Sequence, residues 1–237
     1  MKKYISLIIC ILMLVTAVTV MPLMTAAADT DVVDTDVTLT ADDDSTDEHI
    51  EKENGEFRYL FEHDNIIISA YLGHESEVVI PDTIEGAPVT GILTGAFDNC
   101  DFVTKITVPE ALDYVGSGAL DDTAFYKNKA NWDNNIFYLG HVLYAADAEN
   151  LVGECVIKEG TVDITEQAFV DCDKLTSLTI PGTINSIPLK TFASCDELID
   201  VTISEGIKII EPAAFAYCKK LENIKLPKSL EIGRAHV

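Results

Sequence analysis

A Phe-x-x-Cys motif recurs at a fixed period: Phe169, Phe192 and Phe215 are 23 residues apart, and so are Cys172, Cys195 and Cys218. A fixed period in the 20s marks a solenoid, in which each repeat is one turn stacked on the next. One unit runs from Lys174 to Cys195 and the next from Glu197 to Cys218, and their apolar positions coincide: Leu175 with Leu198, Leu178 with Val201, Ile180 with Ile203, Ile184 with Ile207, Ile187 with Ile210. Leu178 and Ile180 alternate with Ser177, Thr179 and Pro181, the period of two of a short half-buried strand. Pro181, or Glu205-Gly206 one unit later, ends the strand. The later apolar residues are spaced too irregularly for a long helix and suit coil with a short helical turn. A single unit has too few apolar side chains to offset the ordering of its backbone, so neighbours must cover its open faces.

Earlier units are altered. Ile80-Pro81 to Ala96-Phe97 and Cys100 is one, lengthened around Gly86-Ala87-Pro88; in the next, Leu120 takes the Phe position and Thr123 the Cys position. An insert spans residues 124–149, where Ile136-Phe137-Tyr138-Leu139 and Val142-Leu143-Tyr144 flank Gly140-His141, the pattern of a β-hairpin. Cys155 then falls one period before Leu178, at a strand core position.

The pattern Leu-x-x-Ile-x-Ile-Pro, then Ile, then Phe-x-x-Cys resembles the BspA-like leucine-rich repeats of bacterial surface antigens. It is carried by Ile180-Pro181 with Phe192 and Cys195, Ile203 with Ala214-Phe215 and Cys218, and Val79-Ile80-Pro81 with Ala96-Phe97 and Cys100, between about Glu77 and Leu230. The resemblance implies a right-handed coil of leucine-rich-repeat turns of about 23 residues. Its parallel β ladder would line one face, with an irregular or short-helical convex side. It also implies a secreted or surface-attached protein, of a kind often tied to adhesion.

The termini read differently from the repeats. Residues 1–28 have the form of a secretory signal: Lys2-Lys3, an apolar stretch from Ile5 to about Val20, and Ala26-Ala27-Ala28 as a small-residue cleavage site. An uncleaved membrane anchor is the alternative. Residues 29–56 hold twelve Asp or Glu against one Lys and read as a disordered, self-repelling linker. The Asp29-x-Asp31 and Asp34-x-Asp36 spacings lack the Gly and closing Glu of an EF-hand loop. Residues 57–76 read as a capping hairpin, leucine-rich repeats fill 77–123 and 150–231, and the repeat phase breaks at Gly233. Residues 232–237 therefore read as a non-native tail on a truncated chain.

Candidate chemistry is thin. Cys100, Cys155, Cys172, Cys195 and Cys218 lack C-x-x-C spacing. Their slots suit buried free thiols or pairing between neighbouring rungs. The histidines have no ligand-like spacing, Gly116-Ser117-Gly118 is a turn rather than a nucleophile elbow, and no phosphate loop occurs. The sequence selects no catalytic residue, cofactor or metal site. A net charge of −24 disfavours nucleic acid. Outward strand positions would be Lys105, Thr107 and Pro109; Glu154, Val156 and Lys158; Ser177, Thr179 and Pro181; Asp200, Thr202 and Ser204; Asn223, Lys225 and Pro227. This polar face is either a solvated sheet surface or a partner-binding face. Tyr126, Trp132, Phe137, Tyr138 and Tyr144 in the insert either offer exposed aromatic anchors or cover the solenoid. The expectation is a secreted or cell-surface, non-catalytic module that binds an extracellular protein or polysaccharide, touching a membrane only through its signal sequence or a missing C-terminal anchor. The alternative is an accessory or spacer module of a larger exported enzyme or wall-anchored protein.

Overall fold

The computed structural model describes residues 51–231. Residues 1–28, read above as a secretory signal, most of residues 29–56, read as an acidic linker, and residues 232–237, read as a non-native tail, lie outside the described residues.

The chain winds as a β-solenoid with two parallel strand ladders. The first ladder contains β4 (Glu77–Val79) paired with β7 (Lys105–Thr107), and a four-stranded sheet ordered β11 (Gly153–Val156), β13 (Leu175–Ile180), β15 (Asp200–Ile203) and β17 (Asn223–Lys225). Its register follows the 23-residue period: Cys155 pairs with Leu178, Leu178 with Val201, and Val201 with Ile224. Leu178 and Ile180 point into the core while Ser177 and Thr179 face out, as alternation along a strand requires.

A second ladder runs beside the first. Seven strands fall in this column: β3 (Asn65–Tyr71), β6 (Ala87–Ile92), β8 (Tyr114–Val115), β10 (Val142–Ala146), β12 (Asp163–Ile164), β14 (Ser186–Ile187) and β16 (Ile209–Ile210). β3 pairs in parallel with β6, β6 with β8, β10 with β12, and β14 with β16. In the regular turns the sequence reading placed coil with a short helical turn; there β12, β14 and β16 are two-residue strands, too short to show alternation. The Phe-x-x-Cys segments then close each coil by consecutive tight turns, and they too are linked rung to rung: Phe97 N–H donates to Ala119 O (3.0 Å), Phe169 N–H to Thr191 O (2.9 Å) and Phe192 N–H to Ala214 O (2.8 Å). Among the described residues the helical segments are α1 (Ala124–Lys127) and a 3-10 turn at Lys129–Asn131, both in the insert.

At the N-terminal end, β2 (Phe57–Glu62) pairs antiparallel with β3, and β1 (Lys52–Glu53) adds to β2. Lys52 and Glu53, read from composition as the end of a disordered linker, are thus an edge strand. Lys52 bonds Glu85 at 2.7 Å, which ties that strand to the adjoining loop. β5 (Thr83–Ile84) pairs with β6 around Glu85-Gly86.

The insert is a joint between two cores. β9 (Ile136–Leu139) and β10 are antiparallel around Gly140-His141. Phe137, Leu139, Val142 and Tyr144 pack into the N-terminal core, whereas Ile136 and Leu143 pack into the C-terminal one. Alternation along one hairpin therefore serves two cores.

Candidate functional site

The outward face of the first ladder is built by register. In the C-terminal sheet Ser177 pairs with Asp200 and Asp200 with Asn223, while Val156 pairs with Thr179, Thr179 with Thr202, and Thr202 with Lys225. These seven residues form two parallel rows on strands about 4.8 Å apart. All are solvent-accessible, and Val156 is 61% exposed. Asn223 Nδ2 donates to Asp200 Oδ1 at 2.8 Å, so part of one row is already internally bonded. The Thr179 and Thr202 hydroxyls lie side by side as donors and acceptors, flanked by Val156 at one end and the Lys225 ammonium at the other.

Lys105 and Thr107 do not join this surface. They lie on the separate β4–β7 pair, where Lys105 forms an ion pair with Glu77 at 3.3 Å. Residues of the insert occupy the place between β7 and β11, and Phe125 N–H donates to Val103 O (2.8 Å) there. Pro109, Pro181 and Pro227 are also absent from the face: all three are buried. They stand where the chain leaves the strand and turns inward, beyond the reach of strand alternation. At the same corner Gly182 lies under the Glu205 carbonyl, closer than any Cβ would permit.

The insert aromatics form a packed cluster. Tyr126 meets Trp132 at 5.2 Å, Phe137 at 5.3 Å and Tyr144 at 5.2 Å between ring centroids, mostly edge to face. Phe137 and Tyr144 are buried, so neither is the exposed anchor that composition allowed. Both pack into the N-terminal core. Trp132 is half-buried; its Nε1 donates to Tyr126 O at 2.8 Å, and the Lys129 ammonium covers its ring at 3.3 Å while bonding Asp147 at 3.0 Å. Tyr138 is likewise covered by Lys158, 4.4 Å over its ring and 2.6 Å from Asp133. Burial pushes the Tyr126 and Tyr138 phenols up to about 12, so both are neutral at physiological pH.

Cys100, Cys172, Cys195 and Cys218 occupy the slot three residues after a Phe, whereas Cys155 sits on β11 paired with Leu178. Burial pushes Cys155 and Cys172 up to about 12. Such protonated, enclosed sulfurs are poor nucleophiles. The buried Thr123 keeps the slot where Cys is absent, its hydroxyl donating to Leu120 O at 2.7 Å.

Residues 75–149 and 148–236 match the BspA type leucine rich repeat region, with six copies. The chain belongs to this leucine-rich-repeat family. Among solved structures it is similar to a leucine rich cell surface protein from Faecalibacterium prausnitzii A2-165, at 25% identity over 78% of this chain and 45% of that one, with a TM-score of 0.40. It is also similar to a leucine-rich repeat protein from Eubacterium ventriosum (20% identity, 79% of this chain and 42% of that one, TM-score 0.36). A leucine-rich repeat protein of T. pallidum aligns at 23% identity over 76% of this chain and 84% of that one, with a TM-score of 0.38. The BspA-type chain thus spans less than half the length of the first two. No curated protein matches it.

Proposed function

We propose that this chain is the interaction module of a secreted or cell-surface protein. It recognises an extracellular protein or glycan through the outward face of β11, β13, β15 and β17, without catalysing a reaction. The observation that carries this reading is the double row of Val156, Thr179, Thr202 and Lys225 beside Ser177, Asp200 and Asn223, accessible along four strands in register. Solenoids use such extended faces for recognition. Hydroxyl pairs with one carboxylate and one ammonium suit a polar, hydrogen-bonding ligand. Secretion is supported by the signal-like residues 1–28 and by membership of the BspA type family.

Thr179→Arg and Thr202→Arg block the face with long side chains that can stay in water. Binding of the parent chain and both variants to arrayed extracellular-matrix proteins and bacterial or host polysaccharides is the test. Ligands held by the parent should lose tenfold or more in affinity, with melting curves unchanged. Equal binding by the two variants and the parent places recognition elsewhere, and an unbound parent ends the module reading.

A further inference from the structure

Asn54-Gly55 is the only Asn-Gly pair in the chain. Gly55 and Glu56 join β1 to β2, with Glu53 opposite Arg58 and the Asn54 N–H donating to Phe57 O at 3.1 Å. A turn this tight commonly closes on the backbone carbonyl of its first residue. Here the side chain substitutes for it: Asn54 Oδ1 accepts from the Phe57 N–H at 2.9 Å and from the Glu56 N–H at 3.2 Å. The side-chain carbonyl is thereby drawn back over the link that contains the Gly55 nitrogen. Gly55 has a φ of +96°, with nothing within 4 Å of where a Cβ would stand. Asn54, Gly55 and Glu56 are all exposed, and among the described residues no acceptor engages the Gly55 N–H.

Other asparagines lack this arrangement. At Asn99 and Asn135 the following nitrogen is occupied: the Cys100 N–H donates to Phe97 O at 3.2 Å, and the Ile136 N–H to Asp133 O at 2.9 Å. Such a nitrogen must give up its partner before it can attack anything. At Asn54 the following nitrogen is unbonded, and glycine places no side chain in its path. The carbonyl beside it carries two N–H donors on its oxygen. Negative charge gathers on that oxygen when a nucleophile adds to Cγ, and N–H groups aimed at a developing oxyanion lower the barrier. Nucleophile and electrophile share one short link, so no encounter is needed.

We propose that Asn54 is a self-modification site, where the β1–β2 link converts its own side-chain amide into an acid through a cyclic imide. Hydroxide removes the Gly55 N–H proton, and the nitrogen adds to Asn54 Cγ while Oδ1 takes the charge beneath the Glu56 and Phe57 N–H groups. The Cγ–Nδ2 bond breaks, and Nδ2 takes a proton from water and leaves as ammonia. Water then adds to either carbonyl of the imide ring and breaks its bond to the Gly55 nitrogen. The net change consumes water and releases ammonia, with no oxidation or reduction. Opening at Cγ leaves an ordinary aspartyl residue. Opening at the backbone carbonyl leaves the isoaspartyl form, which carries the chain through Cγ and lengthens the link. The longer link cannot keep the Asn54 N–H on Phe57 O together with the pairing of Glu53 and Arg58. β1 is then released, and Lys52 loses its ion pair with Glu85 at 2.7 Å and its place 4.7 Å over the Phe61 ring.

The test incubates the folded full chain at neutral pH beside the same chain held unfolded in urea. Ammonia release and peptide masses follow the reaction, and enzymatic methylation of isoaspartyl groups counts that product. Modification should appear at Asn54 ahead of every other Asn, about tenfold faster in the folded chain than in the unfolded one. It should quicken as pH rises, because the attacking nitrogen must lose its proton. Asn54→Gln keeps the amide but lengthens the side chain beyond easy ring closure, and should stay unmodified at that position. Amide exchange at Lys52 and Glu53 should quicken in the isoaspartyl fraction but not in Asn54→Asp, whose carboxylate still accepts from the Glu56 and Phe57 N–H groups. An Asn54 that reacts no faster folded than unfolded overturns the proposal, since the turn then adds nothing to the dipeptide. Modification led by another Asn overturns it as well.

Discussion

The rungs from β11 to β17 and the insert solve the same problem by opposite means. In the regular rungs the contacts that close each turn recur at the equivalent position one period later. Phe192 lies between Phe169 and Phe215, its N–H donates to Ala214 O, and the Cys218 sulfur returns to its carbonyl. Translation alone satisfies the backbone. At the insert translation fails, and side chains substitute. Leu120 stands in the Phe slot, but its N–H donates to the Tyr144 phenol oxygen at 3.0 Å rather than to a carbonyl. The same hydroxyl donates onward to Asp121 Oδ1 at 2.7 Å. Ala146 N–H then meets Ala168 O at 2.7 Å, and the backbone pattern resumes. A repeat can therefore be interrupted where a side chain supplies the group that the missing rung would have offered.

The largest effect should come from the middle of the regular column. Phe192→Ala removes a fully buried ring that touches a ring above and a ring below. Neighbours pinned by the same stacking cannot collapse into the space, so the loss should be about 3–5 kcal/mol. Urea melts of parent and variant measure it. A loss below about 1 kcal/mol would mean that the rungs do not share a continuous core.

At the joint the vulnerable element is one hydroxyl. Tyr144→Phe keeps the ring and its edge-to-face contacts with Tyr126 and Phe137. It leaves the Leu120 N–H without its acceptor in a buried setting, which should cost roughly 1–3 kcal/mol. Amide hydrogen exchange at Leu120 should quicken in this variant more than at Phe169 or Phe192, whose acceptors are carbonyls. Equal protection at all three would show that the phenol is not the substitute described above.

The same contrast governs what the sequence made legible. The period, the first ladder and its register could be read because Phe, Cys and the Leu178-Ile180 alternation recur without change. The second ladder could not, because Ile187 and Ile210 sit in strands of two residues. The turn geometry was hidden for a different reason. Two residues before the Phe or Leu position the backbone is left-handed throughout, yet the residue there is Gly95, Gly118, Gln167, Lys190 and then Ala213. Stacking overrides the local preference for glycine in the later turns. The outward rows were visible as alternation, but alternation cannot report that β7 and β11 are unpaired or that the chain turns at each Pro. In the insert the aromatic run marked strands, while burial on both sides of Phe137 depends on two cores remote in sequence.

The smallest effect belongs to a second device that locks regular turns together. Glu205 sits where Gly182 stood one period earlier, and its carboxylate accepts from the Lys228 N–H at 3.1 and 3.0 Å and from the Ser229 N–H at 3.2 Å. Those donors, the Lys228 N–H foremost, hold the carboxyl below the usual glutamate range. A depressed folded-state pKa means that the ion stabilises fully above the unfolded value of about 4.3 and that this contribution fades as pH falls through the folded value. Glu205 is exposed, so solvent screens the effect. Urea midpoints of parent and Glu205→Gln should differ slightly at neutral pH and converge below about pH 4. A difference that persists at low pH would assign the contact to neutral hydrogen bonding, which the glutamine amide oxygen can only partly reproduce, and would place the lock in turn geometry rather than in charge.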